Sequence, residues 1–297
     1  MRRFMLLLIP GVLAGCGTDD PPVFEPPARA CDLDAPFLEP KPVAELNTAA
    51  PEGGARLSPD QLTVYFHRRE STLFELFVAT RASVDDPFGP AVPIRELAGT
   101  GDAFSPSVTA DGLTIYFDRN NKIWQATRSS PSSPFGQPTM LDFDVVWDDY
   151  LQRSPYVTSN AILFMDVSPN AAGSDHVARA LRVADGSFTS GRWLDEDFRG
   201  GGPGLSGARA PIESDDGLRM FFHGDPFGPR GIMTSTRSAL GGPLQGVAPV
   251  DELNTTAGWE EPTWLSPDGC VLYFVRDDNP DDLFRHGDLW RAERPAP

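Results

Sequence analysis

Short apolar runs rich in β-branched and aromatic residues recur along the chain, and each is entered through a polar turn. LSPDQLTVYF ends at Phe66, VTADGLTIYF at Phe117, VTSNAILFM at Met165, ESDDGLRMFF at Phe222 and LSPDGCVLYF at Phe274. A Ser or Thr, an Asp and a Gly ahead of such a run predict a tight turn leading into a strand. The closing aromatics Tyr65, Tyr116, Phe164, Phe221 and Tyr273 lie 51, 48, 57 and 52 residues apart. That periodicity predicts five units of about fifty residues.

The units share an internal order. A first short segment reads GGARLS, FSPSVT, RSPYVT, RAPIES or EEPTWLS, and the turn and apolar strand follow. A third strand closes on Arg81, Arg128, Val183, Arg237 or Arg294, and a fourth, such as AVPIREL or VAPVDEL, is apolar and ends acidic. Four short antiparallel strands per repeat predict a propeller blade, hence an all-β chain. The last unit stops after its third strand, while KPVAELNTAA (41–50) closely matches the fourth-strand segment APVDELNTTA (248–257). The N-terminal strand is therefore predicted to complete the fifth blade and close the ring, which removes exposed sheet edges. The alternative, six blades, requires residues 142–202 to hide a degenerate one.

Ser58-Pro59-Asp60, Ala110-Asp111-Gly112, Asp216-Gly217 and Ser266-Pro267-Asp268-Gly269 each precede a Tyr-Phe or Phe-Phe strand, and Asp288-Leu289-Trp290 stands in a third strand. On these residues the chain resembles the TolB-like, WD-type β-propeller repeat family of bacterial envelope proteins. The pattern departs from the family at Gln61 and Asn160, where Gly is the family residue. The resemblance implies a propeller scaffold that often binds a protein or ligand, and it implies no single activity.

The N-terminus reads as targeting rather than fold. Arg2 and Arg3 precede the apolar run 4–12, and Leu13-Ala14-Gly15-Cys16 looks like a bacterial lipobox. The expected organisation is a signal peptide over 1–15, a lipidated Pro/Asp-rich tether over 16–36 with the lipid on Cys16, and a propeller over 37–297. Removing residues 1–15 takes the formal charge from −17 to −19. A body this acidic is repelled by nucleic acid and by anionic head groups, which leaves the lipid as its membrane contact. The expected location is the cell envelope: the outer membrane, the periplasmic face or the cell surface.

Beyond Cys16 the cysteines are Cys31 and Cys270. The second and fourth strands of a blade run the same way, so these residues start at one end, about two strand spacings or 9.6 Å apart. With the 30–36 loop folded back, a disulfide is the expectation, and two unpaired thiols are the alternative. Loops linking one blade's outer strand to the next blade's inner strand usually form a propeller's ligand rim. Here they carry Glu52, Asp102, Trp147, Asp148, Asp149, Tyr150, Arg153, Arg209, Trp259, Glu260 and Glu261, a mixture suited to a sugar or peptide, or to a solvated rim. Two acidic clusters, at 142–149 and 277–282, lack the ordered spacing of a calcium loop. His67 and His223 follow the aromatic pair in equivalent places, which assigns them to structure. The repeated Arg (Arg81, Arg128, Arg237, Arg294) and the repeated Asp (Asp60, Asp111, Asp216, Asp268) are likewise assigned to scaffold. No nucleophile elbow, phosphate loop or metal-ligand spacing appears, and no cofactor is expected. The first functional expectation is a lipid-anchored, non-catalytic scaffold for an envelope protein or glycan. The alternative is a glycoside hydrolase in which Asp102, Asp149 and Glu260 converge.

Overall fold

The structure, a computed structural model, describes residues 31–143, 150–159, 162–169, 176–181, 188, 192–193, 208–224, 231–240, 242–256, 258–278 and 287–297. Five four-stranded antiparallel sheets form a five-bladed β-propeller. Blade 1 holds β2 (Glu52–Leu57), β3 (Thr63–Glu70), β4 (Leu73–Thr80) and β5 (Val92–Pro93). Blade 2 holds β6 (Ala103–Val108), β7 (Thr114–Arg119), β8 (Lys122–Thr127) and β9 (Thr139–Met140). Blade 3 holds β10 (Tyr150–Val157), β11 (Ile162–Pro169), β12 (His176–Leu181) and β13 (Arg192–Trp193). Blade 4 holds β14 (Arg209–Glu213), β15 (Arg219–Gly224), β16 (Gly231–Thr236) and β17 (Gln245–Pro249). Blade 5 holds β18 (Trp259–Leu265), β19 (Val271–Asp277) and β20 (Asp288–Glu293), and its outer strand is β1 (Lys41–Pro42) from the N-terminal side of the ring. Among the described residues the third unit forms one four-stranded blade, and the ring has five blades in place of the alternative six.

The second strands read as continuous apolar runs because each blade is covered on both faces by its neighbours. Tyr65-Phe66, Tyr116-Phe117, Phe164-Met165, Phe221-Phe222 and Tyr273-Phe274 are all buried. At roughly 1.5–3 kcal/mol per fully buried large side chain, these five pairs are the main cohesive element of the ring. The entry turns repeat as a unit. Ser58, Thr109, Ser214 and Ser266 donate through Oγ to Asp60, Asp111, Asp216 and Asp268. Each Asp also accepts an amide two residues on, from Leu62, Leu113, Leu218 or Cys270. The recurrent arginines clamp these turns. Arg81, Arg128 and Arg237 donate through Nε to the carbonyls of Gln61, Gly112 and Gly217. Arg81 and Arg128 also lie over the rings of Phe88 and Phe135. Arg294 makes the same stack on Phe37, 4.1 Å from the ring centroid, so the segment before β1 stands in for a blade's own linker.

Closure rests on more than two ladder pairs. Lys41 and Pro42 pair with Arg291 and Trp290. The amides of Leu38 and Val43 donate to Glu293 and Leu289. Asn47 brackets Leu289, accepting its amide at 2.9 Å and donating to its carbonyl at 3.0 Å. Asn254 does the same for Ile232, which explains why 41–50 and 248–257 match. A disulfide joins Cys31 to Cys270, with Cα atoms 5.8 Å apart. Asp32 donates its amide to the Pro295 carbonyl, so packing on the blade begins within the stretch read as tether.

Candidate functional site

A cavity of about 360 Å³ opens at the ring axis and draws its lining from all five blades. The inner strands β2, β6, β10, β14 and β18 bring Gly53 and Gly54, Ser105, Ser154, Arg209, and Trp259 with Glu261 to its wall. The first four inner strands carry a bulge whose first residue adopts positive φ: Gly54 at 61°, Ser105 at 49°, Ser154 at 50° and Ala210 at 47°. Such backbone is costly for a side-chain-bearing residue and persists only where its surroundings fix it.

The fixing group comes from the preceding blade. The second-strand residue two places after the closing aromatic is His67, Asp118, Asp166, His223 or Val275. The amide of Ser105 donates to His67 Nδ1 at 3.2 Å, that of Ser154 to Asp118 at 3.2 Å, and that of Ala210 to Asp166 at 2.7 Å. At the fourth seam the bond is reversed, with His223 Nδ1 2.7 Å from the Glu260 carbonyl, so the ring donates there. These contacts are inter-blade latches, and they define a structural role for both histidines.

Burial shapes the electrostatics. His67 is pushed down to about 3 by desolvation, which keeps Nδ1 an acceptor. Asp118 is raised to about 7 by burial, against the Ser154 amide and Arg153, which pull it down. Asp166 is also raised well above the usual carboxylate range, by burial and by Glu261. Glu261 is raised by burial, with Arg209, Arg56 and the Trp259 indole N–H opposing. Deeper along β2, Arg56 donates to the Thr263 carbonyl and lies 4.7 Å over the Tyr156 ring, with its pKa lowered to about 10 by burial. This contact joins blade 1 to blades 5 and 3.

The structure separates the residues expected on the rim. Asp102, Arg153, Arg209 and Trp259 line the cavity. Asp102 accepts the Phe74 amide at 2.9 Å, and Trp259 stacks on His223 with ring centroids 3.8 Å apart. Glu52 lines the cavity too, with its carboxyl buried against Arg68 at 2.8 Å, whereas Glu260 does not: its side chain is fully buried and pairs with Arg276 at 3.4 Å. Glu261, one residue on, faces the cavity instead, because neighbouring strand positions point to opposite faces. Trp147, Asp148 and Asp149 lie outside the described residues, as does Cys16. The expected convergence of Asp102 and Glu260 does not occur. The carboxyl groups brought to the cavity are Asp118, Asp166 and Glu261 with Glu52, Asp102 and Asp277. The overlooked signal was the set two places after each aromatic, polar four times and then Val275. Among the described residues no group of three or more His, Cys, Asp or Glu is placed to hold a metal ion.

No protein-family model and no curated protein sequence matches the chain. Solved structures share its fold. An α-L-arabinofuranosidase from Podospora anserina, in complex with cellotriose, superposes with a TM-score of 0.60 at 14% identity, covering 90% of this chain and 99% of that one. The catalytic domain of a GH62 α-L-arabinofuranosidase from Coprinopsis cinerea gives 0.57 at 11% identity, covering 88% and 98%. TolB from Acinetobacter baumannii gives 0.53 at 15% identity, covering 84% of this chain and 57% of that one. These likenesses define the class, a five-bladed β-propeller on a scaffold shared by glycoside hydrolases and TolB proteins.

Proposed function

We propose that the protein is a lipid-anchored envelope propeller that holds a glycan at its axial mouth without transforming it. The observation that carries this is the commitment of two buried carboxyls of the cavity wall. Asp118 and Asp166 each accept the backbone amide that pins the next blade. Histidine does the same work at the first seam, which marks the position as scaffold. The rest of the wall is mixed: backbone amides, Asn120, Asn121, Arg153, Arg209 and Glu261, the usual complement of hydroxyl-binding groups. Lipidation at Cys16 supplies the anchor. Screening the chain against a printed array of bacterial, plant and host glycans tests the reading. Saturable binding to a defined saccharide supports it, and an empty array overturns it.

A second reading, a glycoside hydrolase, is favoured by one observation. Asp118, Asp166 and Glu261 face one cavity, and Asp118 sits near 7, where a general acid works. Release of nitrophenol from aryl arabinofuranosides, xylosides and glucosides, abolished by Asp118→Asn, would establish it in place of the first.

A further inference from the structure

The ring repeats its inter-blade latch three times, reverses it once and abandons it at the fifth seam. Between blades 5 and 1 the acceptor's place is taken by Val275, which offers no oxygen or nitrogen. The amide opposite belongs to Gly54, whose φ of 61° matches that of its latched counterparts Ser105, Ser154 and Ala210. By the symmetry of the repeat this amide is turned toward Val275, and the wall there is stripped of side chains. Gly53, Gly54 and Gly287 line it, and a Cβ on Gly287 would stand 2.8 Å from the Val275 methyl.

Blade 5 breaks the pattern a second time in the same place. The residue before proline in blades 2, 3 and 4 is the bulge residue: Ser105, Ser154 or Ala210. Its sequence counterpart in blade 5, Glu261 before Pro262, pairs regularly with Val275, and the bulge moves to lie between Pro262 and Trp264. That shift presents the Glu261 carboxyl to the cavity beside the seam, where the Trp259 indole N–H bonds it. An amide donor, a carboxylate acceptor and a small apolar wall thus meet at the seam that lacks the latch.

From this juxtaposition we infer that the fifth seam seats the glycan: a sugar hydroxyl accepts from the Gly54 amide and donates to Glu261, with a C–H face of the ring on Val275. A hydroxyl is the group that fits, because it does both; a ligand carboxylate is repelled by Glu261, and an ammonium cannot accept from the amide. The inference rests on the glycan-binding reading and adds the place and the groups.

Val275→Asp and Val275→His each install the acceptor that the other seams possess, and both close the site by satisfying Gly54 internally. Each is expected to leave the melting temperature at or above that of the parent. Each should weaken the strongest array saccharide at least about tenfold by calorimetry, as should Glu261→Gln. In parallel, the Gly54 amide is expected among the largest nitrogen–proton shift changes on titration with that saccharide. A folded Val275→His and Glu261→Gln pair that binds with parental affinity overturns the seam while leaving glycan binding intact. A Gly54 resonance that does not move overturns it equally. An array without any bound saccharide overturns both.

Discussion

The perturbation that most directly tests how the ring stays shut is Cys31→Ser. The disulfide links positions 239 residues apart, so the loop it closes spans nearly the whole propeller. Loop-closure entropy for such a length gives about 5 kcal/mol, at the upper end of the usual 2–5 kcal/mol for native bridges. Serine at position 31 is the gentler choice, since Cys270 is buried between blade 5 and blade 1 while Cys31 only packs against that cluster. In a Cys16→Ser background, urea unfolding followed by tryptophan fluorescence should show the midpoint falling, by an amount equivalent to about 2–5 kcal/mol, with a slope that rises as the freed denatured chain expands. The remaining closure contacts, Asn47 on Leu289 and the buried Phe37, Val43 and Leu46, should keep the folded baseline intact. Hydrogen exchange at the Val43 and Leu38 amides, which bond to β20, should accelerate more than exchange at Phe66 in blade 1. A midpoint shift below about 0.5 kcal/mol would refute the reasoning. So would two titratable thiols in the unreduced, urea-unfolded chain.

Three further expectations follow from the geometry. Asn47→Ala removes two hydrogen bonds to the Leu289 backbone and should cost about 1–3 kcal/mol in urea unfolding, with Asn254→Ala giving a similar loss at blade 4. Asp118 has a folded-state pKa near 7 against an ordinary 3.8, so the native state holds the extra proton and stability falls as pH rises between about 4 and 7. Asp118→Asn keeps an acceptor for Ser154, should be neutral near pH 4, and should raise the melting temperature at pH 8 by the equivalent of up to about 4 kcal/mol. A Cys16→Ser chain should appear in the aqueous phase on detergent partition, whereas the parent enters the detergent phase.

The blade count and the swapped closing strand were legible because both are local patterns: a turn followed by an apolar run, and a duplicated ELNT exit. Asn47 and Asn254 even carry their function in the sequence, since each bonds the strand beside it. The site was not legible for a different reason. Its groups are chosen by contacts between blades, such as Ser105 with His67 or Ala210 with Asp166, some 40 residues apart. Positive φ at Ser105, Ser154 and Ala210 leaves no mark in a sequence without glycine at those places. Glu260 and Glu261 show the remaining limit. They are chemically identical neighbours, and a shift in the position of one bulge decides which is buried against Arg276 and which lines the cavity.

The position of the disulfide also sets the route of mechanical load. Any pull on the chain ahead of residue 31 reaches Cys31 before it reaches β1, which has only two ladder pairs to resist peeling. The sulfur bond diverts that force into Cys270, at the head of β19 in the middle of blade 5. Force there acts on a strand flanked on both sides, so it must shear a sheet rather than unzip an edge. The latch is thus a strain relief: a pull on the chain ahead of residue 31 leaves the short β1 slack.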